Sequence, residues 1–468
     1  MRVEKCIFHY TESPVINTED KEMSGVERMS KAEIIQTVKR EGIKFIQMQF
    51  TDILGTVKNV TIPATKIEKA LDEGVFFDGS SVLGYATIEE SDMRLMPDTE
   101  TFVIIPWLQD TLKTARMVCD VYDHEGNPFE GDPRAALKRQ LEKAKKKGWT
   151  FNTAPEYEFF FLMLDEQGLP TTRPSDSGGY FDLMRDRGDL IRKEIVNYLN
   201  LMGFDVEASH HEVAPGQHEI DLMYADAMTS ADRVAMMKYV TKNIAYRHGL
   251  YATFMPKPIY GVNGSGMHVH QSLMTPEGKN VFYDPKGSYK LSKYALYFIG
   301  GLLKYAKETC AILASTVNSY KRLVPGYEAP VYISWANRNR SAYIRVPAGR
   351  GSHTRIELRN PDPAGNPYLQ FTVMLAAGLK GIEDKIEPPE PVEKDIYHMS
   401  SEDREALGIE SLPENLGQAL DYMRRSELIR EALGEHLFKH FIYVKEKEWE
   451  SYRAHVSDWE HKFLLPAL

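Results

Sequence analysis

Ala154-Pro155-Glu156-Tyr157-Glu158-Phe159-Phe160-Phe161 reads as a β-strand whose two faces do different work. Successive side chains of a strand point to opposite faces, so Glu156 and Glu158 share one side. Two carboxylates on one face, leading into a Phe-rich run, repel each other and lose hydration when buried. A cation would relieve both penalties. Taken alone, the pair also fits a solvated strand end.

Three further stretches repeat the pattern of one chemical face and one largely apolar face. In Glu207-Ala208-Ser209-His210-His211-Glu212-Val213-Ala214-Pro215-Gly216-Gln217-His218-Glu219-Ile220-Asp221, two strand fragments meet at the Pro215-Gly216 turn, and Glu212 can face Glu219 across it. His210 and His211 are neighbours and point to opposite faces, so structural or supporting roles are expected for both. In Asn263-Gly264-Ser265-Gly266-Met267-His268-Val269-His270-Gln271-Ser272-Leu273, the side chains of His268, His270 and Ser272 share a face, with Met267, Val269 and Leu273 behind. Glycines 261, 264 and 266 let backbone approach a ligand closely. The segment opens a strand and carries no Gly-Lys-Ser/Thr, so it is not a Walker A loop. In Thr354-Arg355-Ile356-Glu357-Leu358-Arg359, the row Arg355, Glu357, Arg359 faces one way. Such a row standing alone is often an ion-pair ladder.

Arg338, Arg340, Arg345, Arg350, Arg355 and Arg359 fall within 22 residues, with Arg322 just upstream. The stretch 332–346 around them is otherwise apolar and aromatic, so they do not all lie on a solvated helix. Guanidinium forks suit phosphate and carboxylate. The chain as a whole is acidic: Lys plus Arg is 57 and Asp plus Glu is 67, giving 57 − 67 = −10. That balance argues against general binding of nucleic acid or anionic membrane, which need a basic field. The arginines therefore point to a small polyanionic ligand. Glutamates with a single histidine form a hard-cation site for Mg²⁺ or Mn²⁺ rather than structural zinc. Five glutamates and one histidine exceed what one Mg²⁺ uses, so two or more ions are expected. Metals and arginines on one face equip a site for phosphoryl transfer from a nucleotide.

The chain has 468 residues, 43% hydrophobic and 26% charged, an ordinary globular composition for two or three domains. Cys6, Cys119 and Cys310 are few, odd in number and widely spaced, which fits a reducing compartment. The longest apolar stretches, 294–303 and 159–164, are too short to span a bilayer. Glu4, Glu12, Glu19 and Asp20 leave no apolar region for a secretory signal, so a soluble cytoplasmic protein is expected.

Residues 1–30 read as a weakly patterned extension. Helices are expected over 31–41 and 66–71, and strands over 45–52, 57–62, 102–107 and 116–123, making a small mixed unit. The runs Asp78-Gly79-Ser80-Ser81 and Glu89-Glu90-Ser91-Asp92 read as loops. A helix begins at Pro133, ends at Gly148 and follows a domain boundary near residue 130. Glu387-Pro388-Pro389-Glu390-Pro391 reads as a stiff linker, and the chain beyond Pro413 as mostly helical. The apolar tail Phe463-Leu464-Leu465-Pro466 either docks on a neighbour or folds onto its own core.

These residues carry a resemblance to the type I glutamine synthetases of bacteria and archaea. It runs from about residue 30 to the C-terminus. It rests on Phe77-Asp78-Gly79-Ser80-Ser81, Glu89-Glu90-Ser91-Asp92-Met93, Pro155-Glu156-Tyr157-Glu158-Phe159-Phe160, His211-Glu212-Val213-Ala214-Pro215-Gly216-Gln217, Asn263-Gly264-Ser265-Gly266-Met267-His268, Lys321-Arg322-Leu323-Val324-Pro325-Gly326-Tyr327-Glu328-Ala329-Pro330, Asn339-Arg340-Ser341 and Arg355-Ile356-Glu357-Leu358-Arg359. The resemblance implies an α+β fold: a β-grasp domain over 31–130, then a catalytic domain over 131–468 with a curved antiparallel sheet and surrounding helices. It implies ATP-dependent ligation of ammonia to the γ-carboxylate of L-glutamate through γ-glutamyl phosphate. It also implies a homo-dodecamer of two stacked hexamers, with active sites between neighbouring subunits and the tail 463–468 tying the rings together.

The resemblance further implies residue roles. One Mg²⁺ or Mn²⁺ would sit on Glu158, Glu212 and Glu219, the other on Glu156, His268 and Glu357. Glutamate would be bound by Asn263, Gly264, Arg322, Arg340 and Arg359. ATP would meet Glu207, His270, Ser272, Arg345 and Arg355, and Arg340 and Arg345 would neutralise the transferring phosphoryl group. Asp52 of an adjacent subunit, with Tyr180 and Glu212, would bind ammonium, and Asp52 and Glu328 would take protons. Tyr397 lacks the acidic-proline context of the adenylylated subtype, and the 212–219 spacing is one residue shorter than in that subtype. Control by glutamine, 2-oxoglutarate or a small regulatory protein is expected instead of adenylylation. A ligase for a larger amine and a non-catalytic homologue are the competing readings. The small acidic pocket argues against the first, and the full ligand set against the second.

Overall fold

A computed structural model describes residues 29–85, 92–109, 111–337 and 339–468. The expectations for the extension, for Cys6, for Glu89-Glu90-Ser91 and for Arg338 lie outside those residues. Among the described residues there are two sheets, each with its own apolar core.

The N-terminal unit opens with α1 (Lys31–Arg40). Its N-terminus is closed by a reciprocal pair in which the Ser30 hydroxyl accepts from Glu33 N–H and the Glu33 carboxylate from Ser30 N–H. The sheet comprises β1 (Phe45–Thr51), β2 (Val57–Pro63), β3 (Val75–Asp78), β4 (Asp92–Pro97), β5 (Val103–Ile104) and β6 (Thr114–Tyr122). Its order is β2-β1-β6-β4-β3, with β5 also paired to β6, and β1–β6 is its parallel pair. With α2 (Ile67–Glu73) packed on it, this is the β-grasp unit.

Three local expectations need correcting. Strands β3 and β4 replace part of the expected loop chemistry, so Asp92 opens a strand. Only 79–81 form a tight turn, capped by the Asp78 carboxylate. The strand expected over 102–107 shrinks to two residues, because the chain turns at Pro106 and Leu108 N–H bonds back to Ile105 O. Strand β6 begins at Thr114, two residues earlier than expected.

The second sheet is built on β7 (Thr150–Leu164), which pairs with β8 (Pro170–Pro174), β10 (Gln217–Leu222), β11 (Ala225–Asp226), β12 (Leu250–Thr253) and β13 (Met267–Met274). Strands β9 (Val206–His211), β14 (Trp335–Ala336), β15 (Ile344–Arg345) and β16 (Ile356–Leu358) complete the order β14-β15-β16-β13-β7-β10-β9. All its pairs are antiparallel except β14–β15. Tyr157, Phe159 and Phe161 on β7 are fully buried in the main core.

Helices α3 (Pro133–Lys146), α4 (Asp189–Leu201), α5 (Ala227–Arg247), α6 (Lys293–Lys304), α7 (Ala306–Leu313), α8 (Ser319–Arg322) and α9 (Pro367–Glu383) surround this sheet, followed by α10 (Ser401–Ala406), α11 (Leu416–Arg424), α12 (Glu427–Leu433), α13 (Glu435–Arg453) and α14 (Asp458–Phe463). Asp132 caps α3 through Arg134 N–H, with Pro133 in the first turn. Helices α6 and α9 approach closely through glycines: a Cβ on Gly301 would stand 2.1 Å from Ala377 O. The two units meet where the Arg134 guanidinium bridges Asp98 and Asp120 of the first to Asp232 of α5. The tail does not fold onto the core: Leu465 is 75% exposed. Among the described residues no helix is long and apolar enough to cross a membrane.

Candidate active site

Strand register assembles the site. On β7, Glu156 lies opposite His268 of β13 on one side and Asp221 of β10 on the other, and Glu158 lies opposite Glu219. His270 lies opposite Glu357, which lies opposite Arg345. Alternation within each strand then puts these groups on a single face. A cavity of about 910 Å³ opens over them, lined also by Tyr180, Glu328, Arg340 and Arg359.

The six carboxylate and imidazole groups form two clusters. In the first, the Glu158 carboxylate accepts from Gly266 N–H at 2.9 Å and Gln217 Nε2 at 3.0 Å. Burial, and then the nearby Glu212 carboxylate, push its pKa up to about 8. Burial and the proximity of Glu158 raise Glu219 well above its ordinary value, and burial raises Glu212. His210 stands between the last two, with ring nitrogens 3.8 Å from Glu212 and 3.7 Å from Glu219. Burial thus disfavours the charged form of all three acids.

The second cluster has the opposite character. His268 Nδ1 lies 3.2 Å from Glu156 Oε2 and 3.9 Å from Glu357 Oε1. Burial opposes ionisation of Glu156, but hydrogen bonds from His268 and from His270 at 2.8 Å hold it well below its ordinary pKa. Glu357 is 2% exposed, receives Arg345 Nε and lies 3.3 Å from Arg359 Nε. Burial works against its charge too, and His270, Arg359 and His268 prevail. Burial, then Arg359, lower the pKa of His268.

A second cavity, of about 540 Å³, is lined by Glu207, His270, Ser272 and Arg355. Arg355 Nε donates to His270 Nδ1 at 3.2 Å. Glu156 and Asp221 line both cavities and form the wall between them. Arg345, expected with the ATP contacts, lines the first cavity instead.

The remaining predicted residues sit around the first cavity or away from it. Asn263 Nδ2 donates to Glu328 at 3.1 Å, and Gly264 O accepts from Gln217 Nε2 at 3.0 Å. Glu328 has φ +59, a left-handed conformation that non-glycine residues adopt at a cost. Arg322 lies beneath the floor, its fork donating to the carbonyls of Arg359 at 3.0 Å and Asn360 at 2.9 Å. Asp52 borders neither cavity: its carboxylate accepts from Leu54 and Thr56 N–H within its own turn and lies 3.5 Å from Lys58 Nζ. Asp221 and His210 were not singled out as cavity residues from sequence. The period-two step from Glu219 marks Asp221, and burial raises its pKa to about 6.

Acidic clusters beside guanidinium groups, on an antiparallel sheet with a β-grasp partner, define a metal-assisted ligase of the phosphoryl-transfer type. Residues 42–124 match the family model "Glutamine synthetase, beta-Grasp domain", and residues 130–464 match "Glutamine synthetase, catalytic domain". The glutamine synthetase of Methanosarcina mazei is 55% identical over 432 residues, covering 92% of this chain and 96% of that protein. That of Thermus thermophilus is 54% identical over 436 residues, covering 92% and 98%. A solved structure titled "GmaS/ADP complex-Conformation 1" superposes with a TM-score of 0.84 at 34% identity, covering 92% of this chain and 99% of that one. The chain belongs to the glutamine synthetase family. Its activity is the ATP-dependent synthesis of glutamine from glutamate and ammonium, and the family uses divalent metal ions.

Proposed function

We propose that the two clusters hold at least two Mg²⁺ or Mn²⁺ ions, one on Glu158, Glu212 and Glu219 and the other on Glu156, His268 and Glu357. The donor set fits: burial raises the carboxylates of the first cluster, a penalty that a cation would relieve, and hard oxygen ligands dominate both clusters. When bound, the ions neutralise phosphate and carboxylate charge. ATP occupies the second cavity against Glu207, His270, Ser272 and Arg355 and directs its γ-phosphate past the Glu156–Asp221 wall. Glutamate occupies the first cavity, held by Asn263, Gly264, Arg322, Arg340 and Arg359. Its γ-carboxylate attacks the γ-phosphorus, giving γ-glutamyl phosphate and ADP, while Arg340 and Arg345 balance the moving charge. Ammonium sits among Tyr180, Glu212 and Asp52 of a neighbouring subunit. A proton passes to Asp52, ammonia attacks the acyl carbon, phosphate leaves, and Glu328 takes a further proton.

The observation that carries this reading is the strand register that sets Glu156, Glu158, Glu219, His268 and Glu357 on one face, where with Glu212, just past the end of β9, they line the first cavity. The test is ADP release with Mg²⁺ and glutamate against a panel of ammonium and polyamines. Turnover that requires ammonium and is lost in Glu219→Gln supports it, and turnover with polyamines alone overturns it.

The same proposal covers assembly, regulation and location: a homo-dodecamer of two stacked hexamers, with domains over 31–130 and 131–468, working in the cytoplasm. The exposed apolar tail supports ring-to-ring docking. Effectors such as glutamine, 2-oxoglutarate or a small regulatory protein control it, without adenylylation. In support, the Tyr397 hydroxyl donates to Ala329 O at 2.6 Å and is not free on the surface. Intact mass of enzyme from its native host checks this, and a stoichiometric nucleotidyl adduct on Tyr397 rejects it.

A further inference from the structure

Behind the first cluster, on the opposite face of β9 and β10, lies a group the reaction does not use: Asp176, Asp186, His211 and His218. Their ligand atoms are close enough to suggest a cation, but the hydrogen bonds argue otherwise. His211 presents Nε2 to Asp176 Oδ1 at 3.0 Å and Nδ1 to Glu212 O at 2.7 Å. Both partners are acceptors, so both ring nitrogens donate and no lone pair is left for a metal. Arg192 Nη1 donates to His218 Nδ1 at 2.9 Å, which leaves the proton on Nε2. The Arg192 guanidinium also pairs with Asp186 at 2.9 Å and supplies the positive charge itself.

The Asp176 carboxylate is the hub. Its side chain is fully buried. Oδ1 accepts from Gly178 N–H at 3.1 Å, Gly216 N–H at 2.8 Å and His211, and Oδ2 accepts from Arg187 N–H at 3.1 Å. One side chain therefore ties both ends of the 175–188 loop to the β9–β10 turn and to the residue before Glu212. The loop closes on the same strand through Phe181 N–H, which donates to His211 O at 3.1 Å. It passes so near the imidazole that a Cβ on Gly178 would stand 2.5 Å from His211 Nε2. The tip of the loop carries Tyr180, stacked on Phe181 at 3.9 Å and edge-on to His210.

We propose that Asp176 is a positioning residue for the amine half of the reaction, setting Tyr180 and Glu212 at a fixed separation through its bonds to the loop, the turn and His211. This rests on the assignment of Tyr180 and Glu212 to the ammonium pocket. Asp176 touches neither substrate nor the glutamate and ATP contacts, so its loss acts on ammonium capture first. Losing buried hydrogen bonds to a charged acceptor should raise KM for ammonium in Asp176→Ala by about tenfold or more, with KM for ATP held within about twofold. Asp176→Asn keeps one acceptor oxygen but turns an N–H toward a donor, and should fall between Asp176→Ala and the native enzyme.

The experiment measures KM for ammonium, ATP and hydroxylamine in native, Asp176→Ala, Asp176→Asn and Tyr180→Ala enzymes, with thermal melting as a fold control. Hydroxylamine is mostly uncharged at neutral pH and does not need a cation pocket, so its KM should move less than that of ammonium. A graded rise specific to ammonium supports the proposal. Equal losses for both amines, or an unchanged ammonium KM in Asp176→Asn, overturn it, and the Asn variant alone decides if Asp176→Ala does not fold. If Tyr180→Ala raises the ammonium KM and the Asp176 variants do not, the positioning role fails and the pocket stands. If none of the three variants changes it, the pocket assignment itself fails.

Discussion

Lowering the pH below about 8 should weaken one divalent-ion site and leave the other nearly untouched. Glu158 titrates near 8 because burial and the Glu212 carboxylate disfavour its charge. A metal ligand must be ionised, so binding releases this proton, and each pH unit below 8 costs about 1.4 kcal/mol, or tenfold in affinity. The site on Glu158, Glu212 and Glu219 should therefore bind about tenfold more weakly at pH 7 than at pH 8.5 and about a hundredfold more weakly at pH 6. Burial and the nearby Glu158 shift Glu219 in the same direction, so it adds to this pH dependence rather than opposing it. Glu156 and Glu357 are shifted down and His268 is lowered, so the second site is already ionised and its imidazole neutral at pH 7. It should show little slope between pH 6 and 8.5.

Calorimetric titration with Mn²⁺ in two buffers of different ionisation enthalpy counts the released protons at each pH. Equal slopes at both sites, or no proton release at pH 7, would refute the reasoning. Metal-free stability runs the opposite way. Glu158 holds its proton more tightly folded than unfolded, so the metal-free protein loses stability as pH rises from the ordinary value of 4.5 to about 8. Added Mg²⁺ should raise Tm more at pH 8 than at pH 6.

Glu357→Ala should abolish ATP-dependent phosphorylation of glutamate while leaving the assembly intact by size-exclusion chromatography; retained turnover counts against its ligand role. Co-expressing Asp52→Ala with Glu357→Ala subunits should restore activity at about one site in four, because a site between neighbours can draw each intact residue from a different chain. Two inactive parents giving an inactive mixture would argue that Asp52 acts elsewhere. Gly301→Ala would drive a methyl group into the Ala377 carbonyl and the Gly381 backbone, so it should cost about 1–3 kcal/mol and lower Tm by several degrees. An unchanged melting curve would mean that helices α6 and α9 can separate freely.

The parts of this fold that could be read in advance are those where chemistry and local geometry repeat together. The alternations Glu156/Glu158, His268/His270/Ser272 and Arg355/Glu357/Arg359 need only a strand to place them on a face. The helix ends at Ser30–Glu33 and Asp132–Pro133 are local hydrogen-bond problems with local answers. What escaped depends on tertiary pairing. Strands β3 and β4 are short and flanked by Gly, Ser and Asp, and they exist because β6 gives β4 a partner. Asp221 joins the site because β10 pairs with β7 at Asp221↔Glu156, a register no single strand specifies. Arg322 was counted among the arginines, but its burial and the bonds of its fork to the carbonyls of Arg359 and Asn360 depend on tertiary packing that sequence does not show. Asp176 and Asp186 come from a loop with no period.

Register is also the reason the site and the core cannot be varied independently. A slip of one residue between β7 and either neighbour would turn Glu156 and Glu158 toward the core and bring Tyr157, Phe159 and Phe161 onto the cavity face. Those three aromatic residues are fully buried, and exposing them would forfeit about 1.5–3 kcal/mol each while burying two unpaired carboxylates. The native register therefore lies several kcal/mol below its nearest competitors, before any ion binds. The glutamates need no direct stabilisation to be well aimed: burial works against the charge of both, and only at Glu156 do His268 and His270 outweigh it. They are held by the alternation that buries their aromatic neighbours. Substitutions that trim Phe159 or Phe161 should thus loosen ligand geometry as well as the core, with metal affinity falling at temperatures where the fold is still intact.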